Sequence, residues 1–440
     1  MTAAEDTTGA RMLRDSAPPR PQDLTGRGAA LARPKLPAAM RLLGGAFTPL
    51  AQRMWQFDPE QLKAKARAKT GLTDFGDDAP LDEPLEVLCR SIRTELQLST
   101  NGRFVLHNQI LGSLVNRLRL QELTAGHPEI FEAQVSCPVF VTGTPRTGTT
   151  FVQKLLWQDS GFRCLPLWES SHPLPKGDPT AAQKDPDPRI AASRTELKLT
   201  NKILPEQASM HGLVHDEPEE ENPLLAISHC SSMYENIALV PAYREWYTQA
   251  DHTPGYRHFA RVLQYLQWSR PGGDRWALKA PGHLEMLGPL LSVFDDATVV
   301  QTHRDPVTSV ISFANMVTYG ARVYFDRPDP LLVGQYAADF IERLLRAAVR
   351  DHEKAGDRVV DIKFRDLVSD PLGEMKRVYE AADRELDAAT ERAMRDYAES
   401  ESKRGGRHKY AAEDFALDVE ALRERFGFYY EHFDVAVESR

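Results

Sequence analysis

The residues with the clearest chemical potential lie in TGTPRTGTT at 142–150, where Gly143 and Gly148 stand five residues apart, as the two glycines of a phosphate-binding loop do. The position after Gly148 holds Thr149 rather than the lysine that such loops extend to the β and γ phosphates of a nucleoside triphosphate. A triphosphate would therefore be poorly held. A strand, a glycine loop and a helix in succession still aim backbone N–H groups and the positive helix end at an anion, and Arg146 adds a cation inside the loop. This suits a smaller anion, such as a 5′-phosphate carrying one further group. A glycine loop by itself is also compatible with a plain tight turn. The second candidate is THRDPVTSVIS at 302–312, which ends a predicted strand and so puts Arg304 at the carboxyl edge of the sheet, where open α/β folds bind ligands. If a helix begins near Pro306, Ser312 lies about two turns along it, and Arg304 and Ser312 both reach one phosphate. The plainer reading pairs Arg304 with Asp305 and leaves Ser312 an ordinary surface serine.

These loops need a framework, and the apolar pattern supplies one. The run CPVFV from Cys137, the glycine loop and the amphipathic FVQKLLWQ read as buried strand, loop and helix. Similar short runs recur as WALKA from Trp276, ATVVQTH from Ala297 and RVVDIKF from Arg358, two of them leading towards helical patterns as parallel strands with crossover helices do. The fold class is α/β, a P-loop-like parallel sheet flanked by helices. From Leu81 to Phe131 the apolar residues fall at helical spacing, with Asn101-Gly102 as the break, which predicts a helical N-terminal layer. Between about 173 and 273 the strand signal disappears and a Pro-punctuated helical insertion is expected over the sheet. The predicted organisation is a disordered leader over 1–36, poor in large apolar residues, a helical region over 37–135, and a core over 136–440 that carries the insertion. The stretch 37–57 is amphipathic with Arg41, Arg53 and Trp55; it is expected to dock on the body of the protein, with peripheral membrane contact as the alternative.

Composition narrows the function classes. The chain has 54 Lys and Arg against 63 Asp and Glu, a net charge of −9, so it has no global attraction for nucleic acid or anionic lipid, and any nucleotide site must be local. Its four cysteines form no Cys-x-x-Cys pair, which argues against a disulfide framework or a structural zinc site and for a reducing compartment. No run approaches the roughly 18 apolar residues of a spanning helix, and the N-terminal residues lack the apolar centre of a secretion signal. A cytoplasmic protein is the expectation.

The two phosphate motifs, in this order and at these sheet positions, resemble those of the sulfotransferases that use 3′-phosphoadenosine 5′-phosphosulfate (PAPS), and specifically the bacterial sulfotransferase family whose loop reads Pro-Arg-Ser/Thr-Gly-Thr-Thr. The likeness runs from about Leu72 to the last helix. It implies that Arg146, Thr147, Gly148, Thr149 and Thr150 bind the 5′-phosphosulfate, and that Arg304 and Ser312, as an Arg-x₇-Ser motif, bind the 3′-phosphate. It further implies that Lys279 in LKAPGHL contacts the sulfuryl region. The basic segment SKRGGRHKY at 402–410, with Arg404, Gly405 and Arg407, would cover the 3′-phosphate. One departure stands out: Phe364-Arg365-Asp366-Leu367 replaces the usual Tyr-Glu-Asp-Leu, and Phe364 can pack near an adenine but donates no hydroxyl hydrogen bond.

Sulfuryl transfer asks mainly for electrostatic stabilisation of the departing oxygen, for which Arg146, Lys279 and the amides of 147–150 suffice, with no metal expected. A hydroxyl acceptor also needs a general base. Glu169 in LPLWES is favoured, near the carboxyl edge of a second strand and at a place comparable to that of the family's catalytic glutamate; the plainer reading is a glutamate paired with an arginine. His283 is the alternative base, because other sulfotransferases place a histidine shortly after the matching lysine; helix capping or packing is its plainer role. The cluster of His211, His215 and the glutamates 217, 219, 220 and 221 reads as a solvated acidic face or pocket lining before it reads as a metal site, since the helical His-x₃-His spacing is missing. Tyr243, Trp246, Tyr247, Tyr256, Phe259, Tyr265 and Trp268 sit in the insertion expected to cover the acceptor, and suggest a bulky, lipophilic alcohol. The rivals are a P-loop kinase or NTPase, disfavoured by Thr149, and a non-catalytic nucleotide-binding protein.

Overall fold

Five short β-branched and apolar runs pair into one parallel sheet in the order β2-β3-β1-β4-β5, where β1 is Val139–Gly143, β2 Phe162–Cys164, β3 Arg275–Lys279, β4 Thr298–His303 and β5 Val359–Lys363. The computed structural model describes residues 26–33, 48–176, 182–184, 186–206, 212–403 and 411–438. β1 is central and buried along its whole length, as a strand covered by helices on both faces must be. Its register sets Val141 beside Lys279 of β3 and Gly143 beside Thr302 of β4, so three strands deliver their carboxyl ends to one edge. This is the predicted α/β class; among the strands, the three-residue FRC of β2 is too short to carry a periodicity of its own.

The longer helices are labelled in chain order. α1 (Pro59–Thr70), α2 (Asp82–Glu95) and α3 (Thr100–Gly126) form the N-terminal layer and contribute Leu62, Leu85, Leu88, Ile92, Ile110 and Leu114 to the largest core. The break between α2 and α3 falls at 96–99 rather than at Asn101-Gly102. Ser99 caps α3 by accepting from Gly102 N at 3.0 Å. Gly102 sits inside the first turn because a Cβ there would come within 2.2 Å of Tyr324 O.

After the glycine loop come α4 (Thr149–Leu156) and α5 (Leu167–Ser171), then α6 (Pro188–Ile203) and α7 (Thr253–Ser269); among the described residues the insertion adds no strand to the sheet. α8 (Pro306–Ala321) and α9 (Pro330–Ala355) follow β4 and pack together around Phe313, Tyr336 and Phe340; α10 (Ala388–Lys403) lies against the other face near α4. The expectation of a helix starting near Pro306 holds, with Asp305 capping it through Val307 N.

The leader reading fails for 26–33. Gly26–Leu31 is helical, Asp414 Oδ1 accepts from the amides of Arg27 and Gly28 at 3.0 and 3.1 Å, and Leu31 is buried in the second core. A Cβ on Gly28 would lie 2.4 Å from Asp414 O, so the contact depends on glycine. The remainder of that leader lies outside the described residues. In the amphipathic stretch, Thr48–Met54 rests on α3 through buried Ala51, and Trp55 meets the edge of Phe104 at 5.1 Å, while Leu50 and Met54 stay half exposed. Among the described residues no helix is long and apolar enough to cross a membrane.

Candidate active site

The glycine loop leaves β1 through a turn that a side chain would block. At Gly143 (φ 151°) a Cβ would meet Thr302 Oγ1 at 2.3 Å and Thr302 O at 2.7 Å. Gly148 (φ 99°) caps α4, and a Cβ there would press on Leu367 and Phe364 at 2.8 and 3.3 Å. Arg146 adopts φ 74°, a backbone state that costs a non-glycine residue energy and tends to persist at functional loops. The first amides of α4 have no acceptor within the helix. Arg146, Gly148, Thr149 and Thr150 all line a cleft of about 770 Å³ at the carboxyl edge of the sheet. Thr147 does not: its buried hydroxyl donates to Thr144 O at 2.7 Å and lies 2.6 Å from Thr302 Oγ1, so its side chain holds the loop together.

Arg304 enters the same cleft from the end of β4. Its Nη1 donates to Arg146 O at 2.9 Å, its Nε and Nη2 donate to the Glu438 carboxylate at 2.7 and 3.0 Å, and its guanidinium lies 3.9 Å over the Phe364 ring. Phe364 also lines the cleft. Ser312 lies on α8, buried, and is not among the cleft-lining side chains.

Lys279 arrives from β3, beside β1, and its buried ammonium donates to Glu220 Oε1 at 2.7 Å. Burial opposes its charge, but the carboxylates of Glu220, Glu219 and Glu221 outweigh burial and hold its pKa above the ordinary value. The acidic run is therefore not a solvated face. Leu167 N donates to Glu217 O and Glu219 N to Leu165 O, and Pro166 bridges Pro218, which folds the run back along the end of β2. Glu217 pairs with Lys154 at 2.5 Å, while Glu219 and Glu220 line the cleft. Glu221 is fully buried, accepting from Lys279 N at 2.9 Å with His283 Nε2 at 2.6 Å from its other oxygen. Of the readings open for this run, pocket lining describes Glu219 and Glu220, and their place beside Lys279 follows from Pro166 and Pro218 coming together.

Neither expected base lines the cleft. Glu169 is fully buried; Arg163 Nη2 donates to its two oxygens at 2.9 and 3.1 Å, and Arg270 binds the same pair at 3.2 and 3.1 Å. With every lone-pair direction facing a guanidinium and the side chain off the cleft, it is the arginine-paired glutamate of the plainer reading. His283 is also fully buried, with Nδ1 2.7 Å from Tyr256 OH, Nε2 on Glu221 and its ring against Phe140. It braces the acidic turn and does not line the cleft. The aromatic group of the insertion is corrected likewise: Tyr243, Tyr247, Tyr256, Phe259 and Tyr265 are buried in the largest core, with Trp246 and Trp268 packed against it. The apolar half of the cleft comes instead from Met233, Ile237, Phe313, Met316, Val317 and Ala321. Arg404, Gly405, Arg407 and His211 lie outside the described residues. Among the described residues no group of three metal-ligating side chains occurs.

Comparison with known proteins fits this geometry. Residues 138–388 match the model of the sulfotransferase family. Sulfotransferase STF9 from Mycobacterium avium superposes with a TM-score of 0.75 at 27% identity, covering 87% of this chain and 98% of its own. Sulfotransferase STF1 from Mycobacterium tuberculosis H37Rv does so with a TM-score of 0.71 at 29% identity, covering 84% and 98%. No curated protein matches.

Proposed function

Because the chain belongs to the sulfotransferase family, we propose that it moves a sulfuryl group from PAPS to the hydroxyl of a lipophilic small molecule. One observation carries the donor assignment: the glycine loop without its lysine, Lys279 and Arg304 open into one cleft. The loop amides and Arg146 would hold the 5′-phosphosulfate. Arg304 is already engaged by two carboxylate oxygens of Glu438, a fork geometry that suits phosphate equally. Phe364 stacks beneath it and offers an adenine an apolar face in place of the hydroxyl that a tyrosine would bring. Lys279, fully charged under its carboxylates, would stabilise the negative charge that grows on the departing oxygen.

The acceptor class rests on the other half of the cleft. Its wall from α8 and the Met233–Ala238 helix is apolar, so a hydrocarbon skeleton gains burial there while its hydroxyl faces the polar end.

Thermal stabilisation tests the donor reading, since a ligand that binds only the folded chain raises the melting temperature. 3′-Phosphoadenosine 5′-phosphate should stabilise the protein more than Mg·ATP or AMP. A shift from Mg·ATP alone would return the chain to the kinase reading. A shift from the 3′-phosphorylated nucleotide without turnover on any alcohol or phenol would favour a non-catalytic binder. For the acceptor, Gly320 lines the cleft with open space beyond its Cβ position. Gly320→Leu should lower kcat/KM for long-chain alcohols by about tenfold relative to short ones.

A further inference from the structure

We propose that Glu220 takes the proton from the acceptor hydroxyl, an assignment that rests on the sulfuryl-transfer reading above. An alcohol is a weak nucleophile, and a carboxylate that removes its proton during attack typically contributes about 10²–10⁴-fold to the rate. The carboxylates lining the cleft among the described residues are those of Glu219, Glu220 and Glu401. Glu401 stands on α10, whereas Glu219 and Glu220 occupy the turn beside Lys279. Glu219 Oε1 accepts the amide of Glu220 at 3.0 Å, so its carboxylate is folded back onto its own turn. Glu220 is the one bonded to the Lys279 ammonium.

The surroundings hold Glu220 in place without covering it. Oε1 accepts from Lys279 at 2.7 Å and Oε2 from Asn222 Nδ2 at 2.7 Å, while its carbonyl accepts from Ser170 Oγ at 2.7 Å. Its side chain keeps 27% of its exposure, so an acceptor in the cleft can reach it. The next residue, Glu221, is pinned by the Lys279 amide and His283, which makes Glu221 and His283 positioning residues for the turn. Each carboxylate oxygen has a second lone pair available for a proton.

In the step itself, the acceptor oxygen forms its bond to sulfur as the bond from sulfur to the bridging phosphate oxygen breaks. The electron pair of that bond leaves with 3′-phosphoadenosine 5′-phosphate, and the acceptor proton passes to Glu220. Neutralising Glu220 removes the ion-pair partner of Lys279 just as negative charge develops on the leaving oxygen. The ammonium then acts on that oxygen at fuller strength, so deprotonation and departure reinforce each other.

The test follows transfer from PAPS by the full-length chain to a series of unbranched alkanols, including decan-1-ol, and to 4-nitrophenol, whose hydroxyl is far more acidic. Glu220→Gln should lower kcat on the alkanols by about 100-fold or more and remove the acidic limb of their pH–rate profile. It should not lower the phenol rate or weaken the affinity for 3′-phosphoadenosine 5′-phosphate, because a phenolate needs no base and the Lys279 ammonium, released from its partner, favours the anion. Glu220→Asp should recover part of the alkanol rate, and Glu219→Gln should retain the limb. Equal loss on both acceptor types, loss of the limb in Glu219→Gln alone, or an unchanged alkanol rate in Glu220→Gln would overturn the assignment. So would a wild-type enzyme that uses phenols and no alkanol. If wild-type protein does not bind the 3′-phosphorylated nucleotide, the transfer reading itself fails, and that binding result separates the two failures.

Discussion

The Glu438 carboxylate sits on the Arg304 guanidinium with both oxygens bonded, through Nε at 2.7 Å and Nη2 at 3.0 Å. The tail that carries it is fixed at two further points, Glu438 N on Asp305 Oδ2 at 2.9 Å and Arg423 Nη2 on Glu438 O at 3.3 Å. A C-terminal acid thus occupies the cation proposed to read a 3′-phosphate. Nucleotide must displace a partly exposed pair worth about 0.2–1 kcal/mol, so Glu438→Gln should tighten binding of 3′-phosphoadenosine 5′-phosphate by about 1.4- to fivefold. Calorimetric titration of both proteins checks this, and equal affinities would show that the pair and the nucleotide do not compete.

Arg304 and Lys279 should fail in different ways. Arg304→Ala removes a ground-state contact and should weaken nucleotide affinity by about tenfold or more with a smaller effect on kcat. Lys279→Met keeps the length of a buried side chain but removes the charge proposed to stabilise the leaving group, and should lower kcat by about 10²–10³-fold. Binding and single-turnover measurements on the two variants separate the roles; matching profiles would contradict the division.

Glu169→Gln is a stability variant. Arg163, 5% exposed, loses its anionic partner, and breaking a buried pair from one side typically costs about 3–5 kcal/mol. The melting temperature should fall by several degrees while kcat of the folded fraction stays within about threefold. A rate loss without destabilisation would restore Glu169 as a catalytic candidate.

Stability should decline in mild acid for a specific reason. Burial, with Arg117 and His258 nearby, pushes the pKa of His229 down to about 3, and burial beside Lys65 pushes that of His107 down to about 4. Between the ordinary histidine value of about 6.5 and those values the unfolded chain binds more protons than the folded one. The stabilisation is therefore complete above about pH 6.5 and is lost as pH falls through that window. His229→Asn, which tolerates the φ of 62°, should flatten the dependence of melting temperature on pH between about 6.5 and 4. An unchanged slope would assign the acid sensitivity to other groups.

Several features were legible in the chain because they are local. The glycine loop, the strands at Val139, Arg275, Thr298 and Val359 and the helix opening at Pro306 each follow from spacing, capping or backbone constraints within a few residues. So did the arrival of Arg304 and Lys279 at the sheet edge, since a residue at the end of a parallel strand has one place to go. The roles of acids and histidines were not legible, because a carboxylate is a base or a structural ion according to what reaches it from elsewhere in the chain. Glu169 met Arg270, 101 residues away, and His283 met Glu221, 62 residues away, and both became buried struts. Glu220, drawn from an unremarkable acidic run, met Lys279 and stayed in the cleft. Sequence determined the elements and the edge at which the glycine loop, Lys279 and Arg304 meet; only tertiary packing, which sets burial and charge partners together, decided which carboxylates line the cleft and which are buried in ion pairs.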